Sequence, residues 1–185
     1  MEGNVAAIVL AAGQGKRLKS KRPKVLHEIA GRSLVAHVLA ALDEAGIERV
    51  VVVGPADIEP LREALASLPG AGRIGFATQD PPLGIGDAVK KGLAELGDWS
   101  GTIVVANGDT PLVTAQTFRA LLEELEANGA AAALVTARVS DPNGLGRIVR
   151  GSDDRIAAIV EDADATPEMC RINEINGGVY AFKGE

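Results

Sequence analysis

Three short stretches of the chain are apolar without alternation: residues 5–10 (VAAIVL), 49–53 (RVVVV) and 102–106 (TIVVA). A continuous apolar run of this length predicts a strand buried on both faces, as in a parallel sheet covered by helices. Helical periodicity lies between them. In 33–46, Leu34, Val38 and Leu42 share one face, with Val35 and Leu39 beside them. Ser33 is placed to cap the start of this helix and Gly46 to stop it. Residues 57–67, 85–97 and 114–127 predict three more helices, the last with Phe118, Leu121, Leu122 and Leu125 on one side. Beyond about residue 130 the pattern changes. Segments 132–138, 147–150, 155–160 and 178–182 read as strands joined by Gly- and Asp-rich turns, with some antiparallel pairing expected.

Strand and helix alternating through the first two thirds predict an α/β fold around a mostly parallel sheet flanked by helices. A smaller, partly antiparallel lobe should follow. The expected organisation is one domain, 1–185, with lobes at about 1–130 and 131–185. No internal repeat or linker interrupts it.

Composition narrows the chemistry. The chain of 185 residues is 46% hydrophobic, enough for a sizeable core. Its net charge of -6 argues against nucleic acid or an anionic membrane as a partner. No apolar run approaches the length of a bilayer span, and residues 1–10 lack the pattern of a secretory signal. The single cysteine, Cys170, has no partner for an internal disulfide, so a cytoplasmic setting is expected.

Against this acidic background, residues 16–24 hold six of the nineteen basic residues. They follow Gly13 and Gly15, directly after the first apolar run. In open α/β sheets, ligands sit outside the carboxyl ends of the strands. There, glycines let backbone amides approach phosphate oxygens, Arg17 and Lys24 add positive charge, and Pro23 stiffens the segment bearing Lys24. The spacing is neither the dinucleotide G-x-G-x-x-G nor the phosphate loop G-x-x-x-x-G-K. On the residues alone two readings stand: a phosphate cradle, or a surface turn with solvated lysines.

The stretch from Ile8 to Val38 also resembles the start of the sugar-phosphate nucleotidyltransferases, most closely uridyltransferase domains acting on N-acetylglucosamine-1-phosphate. The resemblance rests on Leu10-Ala11-Ala12-Gly13, Gly15, Arg17, Pro23-Lys24-Val25-Leu26-His27 and Gly31. Later blocks occur in the family's order: Gln79 with Leu83-Gly84, Gly108-Asp109 before Pro111-Leu112, Gly146-Arg147, Glu161, and Glu174-Ile175-Asn176.

The resemblance implies a Rossmann-like nucleotidyltransferase fold and Mg²⁺-dependent transfer of a nucleotidyl group from UTP to a sugar-1-phosphate, in nucleotide-sugar and peptidoglycan-precursor synthesis. It assigns catalytic roles to Arg17 and Lys24, nucleotide binding to Leu10, Ala11, Ala12, Gly13, Gln79, Gly84 and Ile85, sugar binding to Gly108, Gly146, Glu161 and Asn176, and metal binding to Asp109. An amide at Gln79 suits a base edge because it offers both a donor and an acceptor. Asp109 otherwise reads as a turn residue, Glu161 as a solvated strand end and Asn176 as a turn residue. His27 and His37 read as structural, Trp99 as packing, and Cys170 has no assigned role.

The sequence departs from the family pattern at Ile85 (threonine in the family), Asp87 (histidine), Leu145 (tyrosine) and Ala163 (lysine). Asp87 brings a negative charge near the expected phosphates, which calls for a metal or basic neighbour. The chain stops several dozen residues short of the family's uridyltransferase domains and carries no β-helix acetyltransferase segment. The expectation is therefore nucleotidyl transfer without acetyl transfer, in a monomer or weak oligomer. Two alternatives are a transferase for another base or acceptor, such as glucose-1-phosphate, an alditol phosphate or a molybdopterin-type compound, and a nucleotide-binding module without turnover.

Overall fold

The computed structural model describes residues 4–13, 15, 18–20 and 22–184. In chain order the strands are β1 (Val5–Leu10), β2 (Glu28–Ile29), β3 (Arg32–Ser33), β4 (Arg49–Gly54), β5 (Ile74–Thr78), β6 (Thr102–Asn107), β7 (Ala132–Arg138), β8 (Arg147–Arg150), β9 (Ile156–Val160) and β10 (Glu174–Phe182). The helices are α1 (Leu34–Glu44), α2 (Glu59–Leu65), α3 (Ile85–Leu96) and α4 (Ala115–Ala127). The chain divides into two compact units: residues up to Ala133 with the returning segment from Tyr180, and Leu134–Val179.

In the first unit, β5, β4, β1 and β6 lie side by side and every pair is parallel. Ile8 stands opposite Val51 on one side and Val105 on the other. Alternate residues of these strands (Ala6, Ile8, Val51, Val53, Ile103, Val105) form one core cluster with Ala88 and Leu96 of α3. The other set, including Ala7, Val9, Val52 and Val104, is equally buried. Burial on both faces is why these strands read as uninterrupted apolar runs.

Two glycine-ended helices frame this core. Beyond α1, the N–H groups of Gly46 and Ile47 donate to Asp43 O and Leu42 O, and Gly46 has φ of 84°. Gly129 and Ala130 repeat the arrangement after α4, on Glu126 O and Leu125 O. These bonds satisfy carbonyls that the helix leaves open. At the starts, Thr114 accepts from Thr117 N–H, but Ser33 makes no capping hydrogen bond. Ser33 stands at the N-cap position of α1, as expected, and also ends the β2–β3 hairpin, paired with Glu28.

The second unit is antiparallel where its registers are defined: β8 pairs with β9, and Arg147 of β8 faces Ile175 of β10. An ion pair with a buried carboxylate and a partly exposed guanidinium ties β8 to β10. Arg150 donates from Nε to Glu174 Oε2 at 2.9 Å and from Nη2 to Oε1 at 2.7 Å. The Arg150 bond holds the Glu174 carboxyl down to about 2. Burial opposes this, and a Thr136 hydrogen bond adds to it. The same bond raises the Arg150 guanidinium above its ordinary value.

Two differences from the sequence reading concern strands. The residues of β5, IGFAT, carry too short and weak a pattern to stand out. β10 begins at Glu174 rather than 178, because Asn176-Gly177-Gly178 has the composition of a turn. Gly177 is there for space: a Cβ would lie 2.7 Å from Val135 O.

Two substitutions test this packing. A Cβ on Gly92 of α3 would lie 2.6 Å from Ile8 Cγ2, a buried β-branched side chain. Helix propensity favours Ala over Gly by about 1 kcal/mol, whereas overpacking costs about 1–3 kcal/mol. Gly92→Ala should therefore lower the melting temperature, and a rise would contradict the close approach of α3 to β1. Glu174 has a folded pKa below its unfolded one, so its contribution is full above about 4.5 and is lost as pH falls towards 2. Glu174→Gln should cost on the order of 2 kcal/mol in urea unfolding at pH 7 and much less at pH 2.

Candidate active site

From β1 the chain passes to β4 on one side of the sheet, and later to β6 on the other. Such a reversal leaves a crevice at the carboxyl ends of the strands. A cleft of about 450 Å³ opens here, within the size range of small-molecule sites. The first loop contributes Leu10, Ala12, Gly13, Gly15 and Lys24 to its wall. The segment from β5 into α3 contributes Gln79, Pro82, Gly84 and Ile85, and the end of β6 contributes Asn107 and Asp109. A smaller cavity of about 170 Å³, around Asp43 and Arg73, contains none of the residues selected from the sequence.

The first loop is shaped by two contacts. Ala11 is buried and donates its N–H to Val53 O at 2.8 Å, so it anchors the loop rather than facing the cleft. Gly15 has φ of 55°, and a Cβ there would stand 2.8 Å from Lys24 Cβ. Glycine is thus required both by conformation and by the approach of Lys24. Lys24 opens a 3₁₀ turn entered from Pro23 and closed by the His27 N–H on Lys24 O. Its ammonium forms an ion pair with Asp109. Arg22 is paired with Glu28 on the surface at 2.9 Å. Arg17 and Lys21 lie outside the described residues.

Gln79 is 5% exposed. Its backbone N–H donates to Gly54 O at 2.9 Å. Its amide nitrogen donates to Gly84 O at 2.8 Å and to Asp87 Oδ2 at 2.9 Å. Among the described residues, the hydrogen-bond partner of Asp87 is thus a neutral amide. Asp87 also sits in the first turn of α3, where the helix dipole favours a negative charge.

Gly108 follows β6 and donates its N–H to Leu10 O at 2.9 Å, joining the two strand ends that border the cleft. The Thr110 hydroxyl donates to Asn107 O at 2.8 Å, which holds the turn that presents Asp109. No cluster of three His, Cys, Asp or Glu side chains fit for a metal occurs among the described residues. Asp109 offers a single hard oxygen donor, already matched to a cationic group. This fits Mg²⁺, which takes one or two carboxylates and fills its shell with phosphates and water.

The second unit gathers the remaining residues. A Cβ on Gly146 would meet Asn176 Cβ and Glu161 Oε1, each at 3.5 Å. Asn176 N–H donates to Gly146 O at 2.8 Å. Behind them, the fully buried Arg147 donates to Leu145 O and, at 2.9 Å, to Asp162 Oδ1, clamping the two loops together. Among the other residues weighed from the sequence, His37 Nε2 bonds Ile29 O at 2.9 Å, Trp99 packs on the core, and Cys170 is exposed. Sequence reasoning missed Asn107 and the Gln79–Asp87 contact. Asn107 carried one signal, a polar residue ending an apolar strand.

Residues 7–167 match the family described as the MobA-like NTP transferase domain. The chain belongs to this family. It is a nucleotidyltransferase domain. It is 47% identical over 185 residues to the bifunctional protein GlmU of Mycobacterium ulcerans, and 47% identical over 183 residues to that of Thermobifida fusca. These matches cover 98% and 97% of this chain and 37% of each relative, so the chain spans little more than a third of the length of those proteins. The structure of HddC from Yersinia pseudotuberculosis complexed with GMP-PN shares the fold, with a TM-score of 0.75 at 22% identity, covering 96% of this chain and 76% of that one. No helix among the described residues is long and apolar enough to cross a membrane.

The Gly15–Lys24 contact generates a direct test. Gly15→Ala should destabilise the protein by about 1–2 kcal/mol and weaken nucleoside triphosphate binding about tenfold by displacing Lys24. Isothermal titration of wild type and variant checks it, and unchanged affinity would contradict the placement of Lys24.

Proposed function

We propose that the chain transfers a uridylyl group from UTP to a sugar-1-phosphate, most readily N-acetylglucosamine-1-phosphate, giving a UDP-sugar and pyrophosphate. The observation that carries this reading is the cleft at the switch point. It brings Leu10, Ala12, Gly13, Lys24, Gln79, Gly84, Ile85 and Asp109 together from three separate segments. Identity to GlmU proteins across nearly the whole chain supports it.

In the proposed reaction a phosphate oxygen of the sugar-1-phosphate attacks the α-phosphorus in line. A new P–O bond forms, the bond to the bridging oxygen breaks, and its electron pair leaves with pyrophosphate. The attacking group is already anionic, so no general base is required. Catalysis consists of positioning and charge neutralisation. Gln79 and the Gly84 backbone hold the base, and the Leu10 and Ala12–Gly13 backbone holds the nucleoside, with Ala11 anchoring it. Lys24 leaves Asp109 to neutralise the phosphates. Arg17 steadies the departing pyrophosphate. Asp109 holds Mg²⁺, which supplies positive charge to the triphosphate when bound. Gly146, Glu161 and Asn176 bind the sugar together with Gly108, so residues about 1–130 serve chiefly the nucleotide and about 131–185 the acceptor. A cytoplasmic protein, monomeric or weakly associated, suits these substrates. A second reading, another sugar phosphate as acceptor, is favoured by Leu145, which stands 40% exposed beside Gly146 where the family pattern has tyrosine.

Pyrophosphate release with Mg²⁺, offering UTP with N-acetylglucosamine-1-phosphate or glucose-1-phosphate, tests both. Release with UTP and the amino sugar is expected, and Asp109→Ala should lower it at least about 100-fold. Release only with glucose-1-phosphate would favour the second reading. Triphosphate binding without release from any pair would contradict turnover by this chain.

A further inference from the structure

The two partners of the Gln79 amide nitrogen decide which polar atom is left for a bound base. A primary amide nitrogen carries two hydrogens, and here one goes to Gly84 O and the other to Asp87 Oδ2. Both partners are acceptors. Turning the amide over would press Oε1 against a carbonyl and a carboxylate with no hydrogen between them. The backbone bond to Gly54 and the burial of the side chain leave little room for another escape. Oε1 accepts no hydrogen bond from any described residue, and Gln79 lines the cleft. Without Asp87, Gly84 O alone would hold the nitrogen, and one of its hydrogens would be free for the base. The amide would then present both a donor and an acceptor.

We propose that Asp87 is a specificity-determining positioning residue. By taking the second hydrogen of Gln79, it leaves only an acceptor in the base subsite. The site therefore selects a nucleobase with a ring N–H, as in uracil, over one with a lone pair at that place, as in cytosine. The group at position 4 of the pyrimidine is not read by this amide. The inference rests on the reading of the cleft as the triphosphate site. A lone pair opposed to a fixed acceptor, shielded from water, costs an order of magnitude or more in affinity.

The test is isothermal titration of the wild-type chain with Mg²⁺ and each of UTP, 4-thio-UTP, CTP and N3-methyl-UTP. UTP and 4-thio-UTP should bind within about threefold of each other, and CTP and N3-methyl-UTP at least about tenfold more weakly. Asp87→Ala removes the second acceptor and leaves Gly84 O alone on the Gln79 nitrogen, so one of its hydrogens is free for the base. The UTP-over-CTP preference of this variant should fall about tenfold. A general loosening of the site would weaken both nucleotides alike and leave that ratio unmoved. Equal binding of UTP and CTP by the wild type, 4-thio-UTP as weak as CTP, or an unchanged ratio in Asp87→Ala each overturns the inference alone. Binding of none of the four overturns the reading of the cleft and the inference with it.

Discussion

Burial of β1 on both faces, between two parallel partners, is the constraint on which the rest of the first unit depends. Its residues from Ala6 to Val9 are wholly enclosed, and its backbone pairs with β4 on one side and β6 on the other. Parallel pairing puts every carboxyl end at the same edge. The residues that leave β1, β5 and β6 therefore emerge together, although they are far apart in sequence. Gly92 allows α3 to lie directly on Ile8, and this sets where the start of α3, with Gly84, Ile85 and Asp87, meets the cleft.

Charge is then concentrated where the fold opens. The chain is acidic overall, yet its first loop is dense in basic residues, and the described ones are not equivalent. Arg22 is matched to Glu28 on the surface. Lys24 is drawn into the cleft by Gly15 and Asp109. The Lys24–Asp109 pair joins two partly exposed charges; on the proposed function a polyanion and a cation would exchange partners with them, and partial exposure makes that separation inexpensive. In the second unit the opposite holds: the fully buried Arg147 and the buried Glu174 carboxylate, gripped by two bonds from Arg150, are suited to fixing loops rather than to exchanging partners.

Much of this was legible in the sequence because the signals are local. Uninterrupted apolar runs marked β1, β4 and β6, and amphipathic spacing marked the helices. The described motif residues of the first loop (Leu10, Ala12, Gly13, Gly15 and Lys24), Gln79 and Asp109 sit at the strand ends that border the cleft. What was not legible depends on contacts across the chain. β5 is short, and its strand character comes from pairing with β4. The first half of β10 looks like a turn, because its glycines answer to the crowding of Val135 rather than to a bend. The use of Ser33 in a hairpin and the bond between Gln79 and Asp87, eight residues apart, follow from three-dimensional placement that neither periodicity nor motif spacing encodes.

The central claim is that the cleft beyond β1 is where a nucleoside triphosphate binds. Backbone amide chemical shifts of the wild-type protein, followed during titration with UTP and Mg²⁺, test it most directly. The account predicts saturable shifts concentrated at Ala12, Gly13, Gly84 and Ile85, with Lys24 and Asp109 responding as their ion pair separates. Shifts centred instead on the cavity around Asp43 and Arg73, with the amides of the first loop unmoved, would contradict it.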